Sequence, residues 1–339
     1  MKIKRVLMMI VITFFISDAL LANQAQWDAF EQFEFTIGTQ YPLPAALTLP
    51  TDRNTFPLVL IVQGSGDSGI DNLVGENATI RDIAHGLSYK GIATFRYAKR
   101  NGLYPEQFKL FTSETVDKEY LEDALIAMES AQKVPGVEGI YLLGVSMGGY
   151  LLPEIADLIE EQFSISVDGL ILCASGIGRT PAPLVMFQQI QSQMEATGYT
   201  ADQIKAARKV WEDVAEKRLS IQTIIHPAMT AGYVYRIMDS DPYVRLKSGT
   251  YPVLVIQGDA DRINSARFFE EMREDLQVPQ QVTSRFQFEL FEHINHRLMK
   301  KEFDDLYTDL LKKGIVEPDI IQTIVQWIFT NNNQIQGER

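Results

Sequence analysis

The stretch "YLLGVSMGGY", residues Tyr141–Tyr150, places one serine between an apolar run and a glycine-rich one. The residues before Ser146 are typical of a buried strand, and those after it have the apolar spacing of a helix. Bulky side chains two positions from the serine would clash in a tight turn, so Gly144 and Gly148 are required there. This G-x-S-x-G pattern predicts a strand, a turn and a helix that expose the Ser146 hydroxyl as a nucleophile. The alternative is a chance glycine-rich turn.

The rest of the chain alternates short apolar runs with longer helical patterns. The predicted strands cover 57–66, 92–98, 139–146, 167–175, 250–261 and 285–292. The predicted helices cover 76–91, 116–132, 147–162 and 317–331. This alternation predicts an α/β fold with a mostly parallel central sheet and helices on both faces. Residues 34–52 are expected to form an antiparallel hairpin beside it.

Residues 177–248 interrupt this alternation with helical periodicity and no predicted strand. About 70 residues are too many for a plain connection between two core strands. We therefore predict a helical cap at 177–248, inserted into a core formed by 27–176 and 249–332. The alternative is a set of helices packed away from any site. Five apolar residues of the cap could line an acyl pocket or simply pack: Met186, Phe187, Met194, Trp211 and Tyr235.

The first residues have the features of a secretory signal peptide. Lys2, Lys4 and Arg5 precede an apolar run, Val6–Ile16, which is followed by small residues. The run is shorter than the roughly 20 residues that span a bilayer. We expect residues 1–22 to be a signal peptide and the protein to be periplasmic or secreted, with no stable membrane span after signal removal. The alternative is an uncleaved anchor.

The composition limits the classes of partner. The formal net charge is −13 and 46% of residues are hydrophobic, which indicates a sizeable core and an acidic surface. Nucleic-acid binding needs clustered Lys and Arg, so no nucleic-acid partner is expected. The single cysteine, Cys173, lies in an apolar strand and is expected to be buried and inert. The oligomeric state is not indicated.

A serine nucleophile needs a base and an acid that orients the base. Four histidines are available: His85, His226, His293 and His296. On a fold of this kind the acid and then the base follow the serine in the chain. We favour His296, in the loop after the last strand, and keep His293 as the alternative. We favour Asp261 as the acid, and expect Asp259 to cap the turn.

The developing oxyanion needs two backbone donors. One is expected to be the N–H of Met147, directly after the nucleophile. The other should come from the loop 62–71, "VQGSGDSGID", where Ser65 or Gly66 is the predicted donor. A phosphate-binding loop is excluded because no G-K-[ST] follows the glycines.

Five segments of the chain together carry a family resemblance. They read "LPAALTLPTDRNTFPLVLIVQGSGDSG", "IRDIAHGLSYKGIATFRYAKRNG", "GVSMGG", "VLVIQGDAD" and "INHRL". The chain resembles the α/β-hydrolase superfamily over residues 34–331. It is most similar to a secreted or periplasmic esterase branch related to prolyl-oligopeptidase-like and acyl-thioester-hydrolase-like members.

The chain departs from that family pattern in one region. Such proteins commonly carry His where Gln63 stands. They also commonly read R-Y-D-K-R-G where residues 96–101 of this chain read R-Y-A-K-R-N, so that Ala98 replaces the Asp and Asn101 replaces the Gly. The basic residues of this segment could pair with acidic groups or meet an anionic substrate: Arg96, Lys99 and Arg100.

The resemblance and the residues imply a serine hydrolase. It would cleave a carboxylic ester through an acyl-enzyme, using Ser146, Asp261 and His296. No metal or organic cofactor is expected, and the expected partner is a small-molecule ester or acyl substrate. The alternatives are a thioesterase, amidase or peptidase with the same triad, or a non-catalytic binding protein.

Overall fold

The computed structural model describes residues 29–66, 68–276 and 285–338. The predicted signal peptide, 1–22, lies outside these residues. Within the described ranges, no helix combines the length and the hydropathy needed to cross a membrane.

The described residues form twelve strands, eight of them in one sheet. They are β1 (Phe30–Ile37), β2 (Leu43–Pro50), β3 (Phe56–Val62), β4 (Leu73–Val74), β5 (Asn77–Ala78), β6 (Ala93–Tyr97), β7 (Val137–Val145), β8 (Gly169–Cys173), β9 (Ile224–His226), β10 (Met229–Thr230), β11 (Val253–Gly258) and β12 (Phe286–Phe291). The large sheet has the order β1-β2-β6-β3-β7-β8-β11-β12. β2 is antiparallel to both neighbours, which gives the predicted hairpin with β1, and the other pairs are parallel.

Twelve α-helical segments connect or follow these strands in the described residues. They are α1 (Thr79–Tyr89), α2 (Arg100–Leu103), α3 (Ser113–Val116), α4 (Asp123–Ala131), α5 (Met147–Phe163), α6 (Ala182–Ala196), α7 (Ala201–Ala215), α8 (Ala231–Ser240), α9 (Pro242–Ser248), α10 (Ala266–Leu276), α11 (Leu306–Leu311) and α12 (Pro318–Glu338). A π-helical segment, Asp117–Glu122, joins α3 to α4.

The central strands are buried on both faces, which explains their continuous apolar sequences. Every residue of β3, "FPLVLIV", is buried, as expected for a parallel strand covered by helices on both sides. One face packs on α1 and α12. The other packs on α4, α5 and the helices that follow β8. The predicted α/β fold, with a mostly parallel sheet between two helical layers, is therefore confirmed.

The segment between β8 and β11 contains α6–α9, as its periodicity predicted. The expectation that it has no strand is wrong, because β9 and β10 pair antiparallel. The backbone N–H of Thr230 also donates to the carbonyl of Phe111 at 3.0 Å. Strands of three and two residues are too short to show a two-residue alternation in sequence. The assignment of 177–248 as a separate cap stays a prediction.

Candidate active site

Ser146 lies at the junction of β7 and α5 in an uncommon backbone conformation. Its φ is 54° and its ψ is −122°. A non-glycine residue in such a region costs about 1–3 kcal/mol and persists only where the surroundings enforce it. Its N–H donates to the carbonyl of Cys173 at 2.9 Å, and its own carbonyl accepts from the N–H of Tyr150 at 3.0 Å. The half-buried side chain is thus held at the carboxyl edge of the sheet.

The two glycines beside Ser146 are required by close backbone approaches. A Cβ on Gly144 would lie 2.5 Å from the carbonyl oxygen of Gly148 and from the nitrogen of Gly149. A Cβ on Gly148 would lie 2.4 Å from the carbonyl oxygen of Val62. Neither backbone can move without displacing a central strand or the start of α5. The sequence argument for glycine at both positions is therefore confirmed.

Asp261 and His296, from the loops after β11 and β12, are in direct contact. The Nδ1 of His296 lies 2.8 Å from the Oδ2 of Asp261. The Asp261 side chain is fully buried, whereas 17% of the His296 side chain is exposed. A carboxylate only accepts hydrogen bonds, so Nδ1 is the protonated ring nitrogen in this pair. The lone pair of Nε2 is left free to take a proton.

The Asp261 carboxylate is held by three further donors. Its Oδ1 accepts from the backbone N–H groups of Ile263 and Asn264, each at 2.8 Å. Its Oδ2 accepts from Nε2 of Gln257 at 3.0 Å, in addition to His296. A buried carboxylate with this many donors keeps its orientation, because any rotation would break several charge-assisted bonds.

Asp259 and His293, the neighbouring alternatives, occupy different positions. Both are exposed, and the Oδ1 of Asp259 accepts from the backbone N–H of His293 at 2.6 Å. The expectation that Asp259 caps its own turn is wrong. Asp261 caps that turn while it also contacts His296, and Asp259 instead joins the two loops. Of these four residues, the structure pairs the favoured two through their side chains.

The loop after β3 approaches Ser146 directly. A Cβ on Gly64 would lie 3.0 Å from the Cβ of Ser146 and 3.6 Å from its Oγ. Ser65 and Met147 line the same pocket as Ser146. Gly66, the other predicted donor, has a φ of 111° and is exposed. The structure therefore brings the predicted donor loop and the residue after the serine to one place.

The pocket at Ser146 is small, about 40 Å³. The residues of α6 and α8 that line it are mostly apolar, among them Val185, Met186 and Ile237, and Gln189 of α6 is the polar exception. Of the five apolar residues considered from sequence, Met186 lines this pocket. Three others, Phe187, Trp211 and Tyr235, are instead buried in the core.

Several polar residues that support the site were missed in the sequence. The Nδ2 of Asn264 donates to the carbonyl of Ala174 at 2.6 Å, and the Oδ1 of Asn264 accepts from Gln189 on α6 at 2.9 Å. Gln257, which contacts Asp261, is a buried amide inside the apolar strand "VLVIQG". That contrast was the available signal, because a buried amide in a core strand must find partners.

The basic residues of the segment after β6 are paired inside the protein. Arg96 lies 3.1 Å from Asp71, Lys99 pairs with Glu119, and Arg100 pairs with Asp123. At most 3% of each basic side chain is exposed. Of the two alternatives left open by the sequence, internal pairing is confirmed.

His85 and His226 belong to other elements than the loops that hold Asp261 and His296. His226 is part of β9. The Nε2 of His85, on α1, lies 2.9 Å from Oε1 of Gln32. Burial, together with the charge of Arg96, lowers the pKa of His85 to about 4. It lines a groove of about 610 Å³ between α1 and α12, whose lining contains none of the predicted site residues. The size of a concavity therefore does not locate the site in this protein.

Comparisons with known proteins identify the family of the chain. Residues 80–303 match the family described as serine aminopeptidase, S33. Esterase EstD of Thermotoga maritima is 30% identical over 301 residues, which is 89% of this chain and 68% of that protein.

Solved structures show the same fold. Est1E from Butyrivibrio proteoclasticus is 16% identical with a TM-score of 0.54, over 88% of this chain and 98% of that one. The Pyrobaculum calidifontis esterase is 17% identical with a TM-score of 0.52, over 90% of this chain and 86% of that one. With a family match across most of its length, the chain belongs to the serine aminopeptidase S33 family of the α/β-hydrolase superfamily and is a hydrolase.

Proposed function

We propose that the protein is a serine esterase that cleaves a small carboxylic ester through an acyl-enzyme. The observation that carries the proposal is the buried Asp261–His296 pair, on the same sheet edge as a serine whose φ is 54°. Ser146 is the nucleophile, His296 is the base and Asp261 orients the ring. The same pair fixes the proton on Nδ1 and stabilises the imidazolium once Nε2 is protonated.

The reaction proceeds in two matched halves. Ser146 Oγ attacks the ester carbonyl carbon while Nε2 of His296 takes the hydroxyl proton, and the carbonyl electron pair moves to oxygen. The N–H groups of Met147 and of the 65–66 loop donate to that oxyanion, each donor contributing about 10²–10³ in rate. The intermediate expels the alcohol, which receives the proton from His296. Water then attacks the acyl-enzyme through the same steps, which releases the carboxylic acid and frees Ser146.

The pocket favours an ester over a peptide with a free amino terminus. An aminopeptidase must hold a substrate ammonium group, for which a carboxylate is the usual partner. Among the described residues that line the Ser146 pocket there is no Asp or Glu. The relatives named as esterases support the same choice. A thioester would use the same machinery and is an outcome of the test.

The test compares three substrates in wild-type protein and two variants. We expect a burst of p-nitrophenol from p-nitrophenyl butyrate, a slower rate with the butyryl thioester and no turnover of leucine p-nitroanilide. Ser146→Ala should lower kcat by about 10⁵ or more. Ser164→Ala is the matched control, since Ser164 also has a φ of 54° at the other end of the same helix. Equal activity in the wild type and Ser146→Ala would refute the proposal.

Export is part of the proposal. The basic residues and apolar run of residues 1–22 support cleavage of a signal peptide and release to the periplasm or medium. Amino-terminal sequencing of the protein from fractionated cells tests this. A mature protein that still begins at Met1 would contradict it.

A further inference from the structure

A buried charged cluster lies directly beneath the loop that approaches Ser146. The Nζ of Lys99 donates to the carbonyl oxygen of Gly64 at 2.8 Å and to the hydroxyl of Tyr120 at 2.7 Å, and it pairs with Glu119. The ammonium also lies 4.0 Å from the centre of the Tyr120 ring. Only 3% of each charged side chain is exposed.

Stability alone does not account for this cluster. Removing two charges from water is costly, and a protein with an apolar pair of similar volume is often equally stable. The Tyr120 hydroxyl also reaches the same carbonyl oxygen, at 3.4 Å. Glu119 and Tyr120 lie in the π-helical segment Asp117–Glu122, and π-helical turns occur frequently at functional sites. Lys99 and Tyr120 therefore both donate to the oxygen of Gly64, and Tyr120 also bonds to the side chain of Ser65.

That oxygen belongs to the same peptide group as the N–H of Ser65. In a planar trans peptide the C=O and the N–H point in opposite directions. With the carbonyl bound by Lys99 in the interior, the N–H of Ser65 points to the opposite side, where Ser65 lines the pocket of Ser146. A hydrogen bond to the carbonyl also polarises the peptide and strengthens its N–H as a donor.

We propose that Lys99 is a positioning residue, held by Glu119 and Tyr120, that fixes the Gly64–Ser65 peptide so that Ser65, and not Gly66, donates to the oxyanion. This role rests on the proposed function of Ser146. Lys99 itself touches no reacting atom, since its ammonium is occupied by three internal partners.

The kinetic test removes the buried pair without leaving a charge unpaired. The variant is Lys99→Met with Glu119→Gln, and the matched control is Arg100→Met with Asp123→Asn. Arg100 and Asp123 form an adjacent, fully buried pair. We expect the first variant to lower kcat on p-nitrophenyl butyrate about 30- to 100-fold with little change in KM. The control should stay within about 3-fold of wild type.

A transition-state analogue separates positioning from general damage. A trifluoromethyl ketone forms an oxyanion with the serine, so its Ki should rise in proportion to the loss of kcat in Lys99→Met/Glu119→Gln. The Ki of the corresponding methyl ketone, which remains a ground-state ligand, should change little. If kcat and both Ki values change no more than in the Arg100/Asp123 control, the positioning role is wrong.

A measurement that needs no turnover distinguishes this inference from the proposed function. Gly64–Ser65 is the only Gly-Ser dipeptide in the chain, so ¹³C′-glycine with ¹⁵N-serine labelling isolates one amide resonance. Its ¹⁵N shift should move by more than 1 ppm in the Lys99/Glu119 variant and stay in place in the control. An unchanged shift would overturn the role of Lys99 even in an active enzyme. A shift in a protein that cleaves no ester would refute the esterase proposal and keep the peptide contact.

Discussion

The turn after β11 and the helical segment 177–248 both reach the pocket of Ser146, but they are held in different ways. Asp261 in the turn accepts four hydrogen bonds, three of them from residues 257–264. The helices reach the pocket mostly through apolar side chains such as Val185 and Met186. A side chain that must keep one orientation is fixed by hydrogen bonds from a rigid strand end. A wall that sets the pocket's size needs only van der Waals packing, which tolerates substitution.

The largest expected effect on activity comes from Asp261→Asn, which tests whether the hydrogen-bonded turn is as sensitive to substitution as we infer. The amide cannot accept from all four donors and would favour the wrong tautomer of His296, so kcat should fall about 10³- to 10⁴-fold. Asp259→Asn is the control two residues away. Its amide oxygen can still accept the one bond from the backbone N–H of His293, so kcat should stay within a few-fold of wild type. Similar losses in the two variants would show that the buried pair has no special role.

The second effect concerns the backbone of the serine turn. Gly148→Ala would place a methyl group 2.4 Å from the carbonyl oxygen of Val62 and should destabilise the protein by about 3 kcal/mol. A Cβ on Gly69 would meet nothing within 4 Å, so Gly69→Ala should be nearly neutral. Urea denaturation followed by circular dichroism measures both. A neutral Gly148→Ala would contradict the close approach of the turn to β3.

A smaller effect should come from the helical wall. Met186→Ala enlarges the pocket, and each buried methylene contributes about 0.8 kcal/mol. The ratio of kcat/KM for p-nitrophenyl hexanoate over butyrate should therefore rise roughly 5- to 10-fold. Gln188→Ala, on the exposed side of the same helix, should leave the ratio unchanged. If Met186→Ala also leaves it unchanged, this pocket does not hold the acyl chain.

The smallest expected effect comes from His85, which lies on α1 in the helical layer on the other face of the sheet. Its folded pKa of about 4 lies below the ordinary value of 6.5, so the unfolded chain binds the proton more tightly. The contribution of neutral His85 to the free energy of unfolding is complete above pH 6.5 and is lost as the pH falls toward 4. Between pH 7 and 4.5, the Tm of the His85→Gln variant should therefore fall by about 2–4 °C less than the Tm of the wild type. Parallel Tm curves would contradict this assignment.

The sequence predicted the parts of the site that local chemistry dictates. The glycines around Ser146, the choice of Asp261 over Asp259 and the pairing with His296 all follow from turn geometry and strand ends, and the structure brings Asp261 and His296 together. The α/β fold followed from the same alternation of elements. The glycines and the choice of Asp261 depend on residues within a few positions of one another. The pairing with His296, 35 positions from Asp261, was predicted because both residues follow late strands of the sheet, in the expected chain order of acid and then base.

The parts that were missed depend on contacts between distant segments. Lys99 and Gly64 are 35 positions apart, and Gln189 and Asn264 are 75 apart. No spacing within one segment encodes such pairs. The same holds for Phe187 and Trp211, whose rings pack on each other at 6.5 Å. Their helical spacing suited either a pocket or a core.

The central claim is that His296, oriented by Asp261, activates Ser146 as the nucleophile. The most direct measurement is peptide mass spectrometry of the wild-type protein after reaction with a fluorophosphonate. We expect one adduct, on the peptide that contains Ser146, and labelling about 10³-fold slower in His296→Ala. An adduct on a different residue, or labelling that is as fast without the imidazole of residue 296, would contradict the account.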